Sequence, residues 1–172
     1  MREDFGPTNM SNSPALPGVV ASLHVHAAEP GTPLQDADAI ELVAGKGILG
    51  EPRYFGRLRH STGEPSRRQV SLIEREQIAE HAASLGLESI PPGAVRSNIE
   101  TQGVNLVALV GRQIQIGSAV LFLYEPRKPC PKMDAVCPGL QALMMNDRQG
   151  VLAEVICSGS IRRGDAITVL RA

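Results

Sequence analysis

The stretch RQIQIGSAVLFLYE, residues 112–125, reads as two short strands joined at Gly117-Ser118. The period-two alternation of a half-buried strand stands in VVASLHVH (19–26) and AVRSNIET (94–101). QVSLI (69–73), GVLAEVICSG (150–159) and AITVL (166–170) read as further strands. AIELVAGKGILGE (39–51) adds a strand and a glycine-punctuated turn, and SIRRGD is a turn signal before the last strand. Helical spacing is rare by comparison. Ile78, Ala82 and Leu85 stand at i, i+4 and i+7, with Glu74 and Glu76 favouring the helix start and Gly86 ending it. PGLQALMMN predicts a second short helix, with Pro138 at its first position and Asn146 at its end. NLVALVG predicts a helical turn. Seven to nine short strands with two or three inserted helices do not alternate as a doubly wound parallel sheet requires. The expected fold class is mainly β with α insertions, an antiparallel β-barrel-like domain.

At 172 residues the chain has the length of one domain with a substantial core, expected here over residues 17–172. Aromatic residues are only 3% of the chain and Trp is absent, so Val, Ile, Leu and Ala must fill that core. Residues 1–16 are polar and scattered with Pro and Asn, which predicts a disordered lead, with Met10 as an alternative start. A net charge of −1 argues against a nucleic-acid partner held by bulk electrostatics. No apolar run approaches the roughly 20 residues of a membrane span, and the N-terminus has no apolar signal region. Three cysteines in such a chain suggest free thiols and a cytoplasmic location.

The chemistry-bearing residues gather in a few places. YEPRKPCPKMDAVCPG (124–139) holds Cys130 between two prolines, after Arg127-Lys128. Those cations favour a thiolate, and the prolines predict a fixed, extended backbone. Cys130 and Cys137 are spaced C-x₆-C, which suits neither a structural zinc site nor a CxxC redox pair. Cys157, inside a strand, reads as a small core hydrophobe. PRYFGRLRHSTGEPSRR (52–68) has no period and reads as a long surface loop. It carries Arg53, Arg57, Arg59, Arg67 and Arg68, which with Arg96 and Arg127 form the candidate anion-binding set. Strand alternation in AVRSNIET places Arg96 and Asn98 on one face, able to grip a phosphate and a polar ring edge, or simply solvated. GKGILG lacks the Lys-Ser/Thr ending of a nucleotide-phosphate loop.

In order, GKGILGE, RRQVSLIE, PPGAVRSNIETQGVNLVALVGRQIQIGSAVLFLYEPRKPC and GVLAEVICSGSIRRGDAITVL form a series that resembles the MOSC domain, over about residues 40–170. The resemblance implies a barrel-like fold and a cysteine that carries sulfur or ligates molybdenum. Cys130 matches that cysteine, as both catalytic residue and metal ligand. Arg96 and Asn98 match an R-x-N element that holds a molybdopterin cofactor, and Arg127 matches the basic position before the cysteine. Arg53, Arg67 and Arg68 complete the expected cofactor cradle. Gly50-Glu51 stands where the family often has Gly-Asp. Three functions follow as expectations: a molybdenum-cofactor reductase of N-hydroxylated compounds, served by a separate electron-donor protein; a persulfide carrier between a sulfur donor and acceptor protein, with any pyridoxal-phosphate-dependent desulfurase separate; or a non-catalytic cofactor-binding module.

Overall fold

A computed structural model describes residues 16–172. The lead expected over 1–16, and Met10 with it, lies outside the described residues except for Leu16, which is exposed. No helix among the described residues is long and apolar enough to cross a membrane.

Seven strands close a barrel in the order β11-β7-β8-β9-β5-β6-β1, with β11 returning to pair with β1. They are β1 (Gly18–Val25), β5 (Val70–Glu74), β6 (Ile99–Gln102), β7 (Gln113–Ile116), β8 (Ala119–Pro126), β9 (Val151–Cys157) and β11 (Ala166–Val169). Every neighbouring pair in the barrel is antiparallel except β5 and β6. These two are joined through the helix α1 (Arg75–Ser84), as a parallel pair requires a crossover. Leu23, Leu72, Ile99, Leu121, Leu123 and Ala153 fill the interior, each fully shielded from solvent. A side sheet of β10 (Gly159–Arg162), β3 (Ala39–Val43) and β4 (Gly47–Ile48) adds Ile40, Leu42, Ile48 and Ile161 to the same core. A second core lies outside the barrel wall. Ile73, Ile78 and Ala82 pack there against Met133, Leu140 and Met144 of α2 (Lys132–Val136), α3 (Leu140–Leu143) and the turn after it.

Several local expectations change. The stretch after β1 carries a short strand with no sequence signal, β2 (Gln35–Ala37), which pairs with the end of β1. Of AVRSNIET only the last three residues, 99–101, are strand, at the start of β6. Residues 94–98 form an irregular turn in which Arg96 is left-handed at φ 61°. Pro131 does not extend the chain around Cys130, because it adopts helical angles at the start of α2, where the Cys130 carbonyl accepts the Met133 N–H. Cys157 is exposed rather than core, since β9 buries Val151, Ala153 and Val155 and turns its end outward. Glu74 and Glu76 stand at the start of α1 as expected, but neither side chain bonds the helix's own amides. Their carboxylates reach across to the Leu106 and Gly103 amides, each accepting a hydrogen bond.

Candidate functional site

Because Leu23, Leu72 and Ile99 face the barrel interior, strand alternation turns their neighbours His24, Ser71 and Asn98 to the outer face of the wall. There the Asn98 side chain ties three strands together. Its Oδ1 accepts from the Ser71 N–H (3.0 Å) and Ser71 Oγ (3.1 Å), and its Nδ2 donates to the His24 carbonyl (3.1 Å). Asn98 therefore holds the floor of the site, and its carbonyl oxygen is already fully engaged.

Above that floor a small cavity of about 10 Å³, the size of one water, lies among Ser71, Asn98, His26, Tyr54 and three arginines, Arg68, Arg96 and Arg127. Each guanidinium arrives from a different part of the chain. Arg68 precedes β5, Arg96 projects from the left-handed turn before β6, and Arg127 follows β8. Arg96 is fixed through a hydrogen bond from Nη1 to the Thr32 carbonyl (3.0 Å). Arg127 is the deepest. Its Nη1 donates to Ser97 Oγ (2.9 Å) and the Val95 carbonyl (3.4 Å), and its side chain is 7% exposed. Among the described residues no carboxylate pairs with Arg127, Arg68, Arg96 or Arg53. Burial pushes Arg127 down to about 10, with Arg68 and Arg96 adding repulsion that Tyr54 and Cys130 oppose. Buried cations without a paired anion are costly. The arrangement is complementary to a compact anion such as a phosphate.

The loop 51–57 closes one side. Tyr54 meets the His26 ring edge-on at 5.4 Å between centroids, and the Arg53, Arg57 and Arg68 guanidinia lie 5.4, 5.9 and 5.0 Å from the Tyr54 ring centroid. Buried Glu51 organises this loop. Its carboxylate accepts the Arg53 and Tyr54 amide N–H groups (3.2 and 3.0 Å) and lies 3.0 Å from His26 Nδ1. Burial alone would raise its pKa, but the His26 contact and the two amides outweigh it and hold the carboxyl below the usual range. Replacing Glu51 with Ala is expected to cost ~2 kcal/mol in urea unfolding at neutral pH, through two lost acceptors. A carboxyl with a lowered folded pKa stabilises above its unfolded pKa and loses that contribution as pH falls through the folded one. The difference between wild type and variant should therefore close in acid.

A second layer fixes the turn that presents Arg96. Glu100, fully buried, accepts from the Gly93 N–H (2.7 Å), Ser22 Oγ (3.2 Å) and Arg75 Nη1 (2.8 Å). His24 stands 2.9 Å from Ser22 Oγ and 2.8 Å from Asp36 Oδ1. Asp36, His24 and Ser22 follow the order of a hydrolase triad. Ser22 is buried and already donates to Glu100, so the chain of bonds braces the wall and supplies no nucleophile. Gly93 is required beside it, because a Cβ there would come within 2.9 Å of His24 Nδ1.

The predicted residues thus divide. Arg68, Arg96, Asn98 and Arg127 line one cavity, and Arg53 reaches it through Tyr54 and a neighbouring groove. Cys130 is exposed on the loop directly after Arg127. Arg67 is not in the group. It donates to Glu154 Oε1 (2.9 Å) and stacks 4.5 Å from the Tyr124 ring centroid, beside the site rather than in it. Sequence reasoning missed His26, Tyr54 and the role of Glu51. The one available signal was a carboxylate just after a glycine turn, placed to accept the next amides.

Comparisons agree with this architecture. The sequence profile of the MOSC domain matches residues 45–168. A search of curated proteins returned no match. The fold is similar to the YuaD protein from Bacillus subtilis, at TM-score 0.72 and 20% identity over 88% of this chain and 95% of that one. It is also similar to YiiM from Geobacillus stearothermophilus (TM-score 0.68, 16% identity, 90% and 76% covered) and YiiM from Escherichia coli (0.62, 19%, 91% and 70%).

Proposed function

The chain belongs to the MOSC domain family, and from that premise we propose that it binds molybdopterin-type molybdenum cofactor and reduces N-hydroxylated compounds in the cytoplasm. The observation that carries this reading is Arg127, a buried guanidinium with no carboxylate partner among the described residues, at the base of an arginine cluster beside the exposed Cys130. The donor set fits the group. Arg127, Arg68 and Arg96 would bind its phosphate, with Asn98 holding the wall beneath and one Nδ2 hydrogen still free. Arg53 and Tyr54 would cover the ring system. Among the described residues no three His, Cys, Asp or Glu side chains are grouped to hold a metal ion. A metal at Cys130 would therefore arrive with its other ligands, as a soft-ligand metal in a dithiolene cofactor does, and Cys130 would add one thiolate.

Bound there, the cofactor supplies a molybdenum centre able to exchange two electrons. The net reaction is R–NH–OH plus two electrons and two protons giving R–NH₂ and water. Its electrons come from a separate redox protein, since the sequence carries no flavin, haem or iron–sulfur motif. The exposure of Cys130 favours a second reading, persulfide transfer. The Cys130 thiolate would attack the terminal sulfur of a donor persulfide, taking that sulfur and releasing the donor thiolate.

The test is metal and pterin content of the protein from a host that makes the cofactor, wild type against Cys130→Ala. Near-stoichiometric molybdenum in wild type, lost in the variant at unchanged thermal stability, is expected. Molybdenum and pterin without turnover of any N-hydroxylated compound would leave a cofactor-binding module. No molybdenum in either form, with cyanide-labile sulfur on wild type alone, would overturn the cofactor reading in favour of persulfide transfer.

A further inference from the structure

Two grooves run outward from the arginine cavity. One of about 360 Å³ passes between residues 27–32 and Pro52-Arg53. The other, about 640 Å³, is walled by Leu34, Pro91, Pro92, Ala94, Ala135 and Val136. Arg96 lines both grooves and the cavity, and Lys132 lines both grooves. Lys132 opens α2, two residues after Cys130. The larger groove thus has an apolar wall and a cationic end, and that end adjoins the turn carrying the thiol. Among the described residues no carboxylate lines it. Glu29 lines the smaller groove and is exposed, Glu100 behind the wall is engaged by Gly93 and Arg75, and Asp134 accepts the Gln141 N–H.

The wall is preformed. Pro91 and Pro92 fix their own backbone, and Gly93 is pinned through the buried Glu100. Arg96 Nη1 binds the Thr32 carbonyl and so bridges the two loops that flank the groove. A ligand with an apolar body would order little on binding, which favours affinity. Its head group would meet Lys132, which has no carboxylate partner among the described residues, while Arg96 would face the phosphate in the cavity.

We propose that the 640 Å³ groove holds the apolar body of the substrate, and that Lys132 at its cationic end selects an uncharged or anionic head against a protonated base. This rests on the reading of Cys130 as the reacting centre. It narrows the substrate class to apolar hydroxamic acids and related acyl or neutral N-hydroxy compounds. Protonated amidine- and guanidine-type compounds are disfavoured, because their charge would sit beside the like charge of Lys132.

Benzamide and benzamidine test this directly, since they share one phenyl body and differ in head charge at neutral pH. Titration of the full-length protein, followed by calorimetry or ligand-observed NMR, should show benzamide binding at least ~10-fold tighter. Lys132→Glu, at an exposed position, should erase or reverse that ratio. Ala135→Trp, which fills the groove, should weaken both ligands. Equal or tighter binding of benzamidine by wild type would overturn the proposal, as would a ratio unmoved by Lys132→Glu or affinities unmoved by Ala135→Trp. Molybdenum content measured on the same samples separates the two readings. Molybdenum with no head-group selectivity sinks the groove assignment alone, whereas selectivity without molybdenum supports the groove and sinks the cofactor reading.

Discussion

Gly150→Ala is expected to leave the protein largely unfolded or insoluble. Gly150 has φ +71°, where a side chain is strained, and it sits directly on the backbone of β5. A Cβ there would collide with the Leu72 carbonyl oxygen and come within 2.8 Å of Ile73 Cα and 2.9 Å of Ile73 Cβ. None of these is the far end of a flexible side chain, so the strand itself would have to move. Strain plus displacement of a core strand puts the cost above ~4 kcal/mol, enough to exhaust much of a typical domain's stability. Gly31→Ala is the control. It has φ +85° with nothing near its absent Cβ, so only the backbone strain of ~1–2 kcal/mol remains. Urea unfolding of both variants checks the claim, and comparable losses in the two would refute the steric account.

The same glycine reaches the site. Its carbonyl accepts the Arg127 N–H at 2.9 Å, so the close approach to β5 also sets where the buried guanidinium begins. Arg127→Met is expected to separate anion binding from folding. Holding Arg127 down to about 10 corresponds to ~3 kcal/mol against the charged form. Methionine keeps much of the stem volume and removes that penalty, while giving up the bonds to Ser97 and Val95. The two changes offset to within ~1–2 kcal/mol, so the variant should melt close to wild type in anion-free buffer. Saturating inorganic phosphate should raise the wild-type Tm and leave the variant's unmoved. The sign with pH is fixed. The unfolded state binds this proton more tightly than the native state, so wild type gains stability relative to the variant as pH rises through about 10. A variant that unfolds at neutral pH, or responds to phosphate like wild type, would show that Arg127 is structural and not an anion ligand.

Much of the barrel was legible because its strands are short apolar or alternating runs bounded by turn residues. VVASLHVH, QVSLI and RQIQIGSAVLFLYE became β1, β5 and the β7–β8 hairpin nearly residue for residue. β2 was not legible. Gln-Asp-Ala has no apolar face, and only its pairing with β1 makes it a strand. The site was half legible. Arg96 and Asn98 do stand over one cavity, though not through strand alternation. A left-handed turn, pinned from Glu100 by way of Gly93, aims Arg96, and no period in the sequence encodes that. His26, Arg68 and Arg127 are far apart in the chain and meet because β1, β5 and β8 share one barrel wall, and Tyr54 joins them from the loop after β4. Arg67 and Arg68 show the limit most plainly, since adjacent arginines point one to Glu154 and the other into the cavity.

Closure of the barrel joins Gly18 and Val19 of the first strand to Ile167 and Ala166 of the last. On the ribosome, the wall that carries His24 and Asn98 must therefore wait for nearly the whole chain before its final seam can be sewn. Pairings of such long sequence separation fold slowly, in milliseconds to seconds for barrels of this kind. During that wait β1 exposes an unpaired edge that other chains can capture. Yield of this protein should thus depend on synthesis rate and temperature more steeply than its final stability suggests.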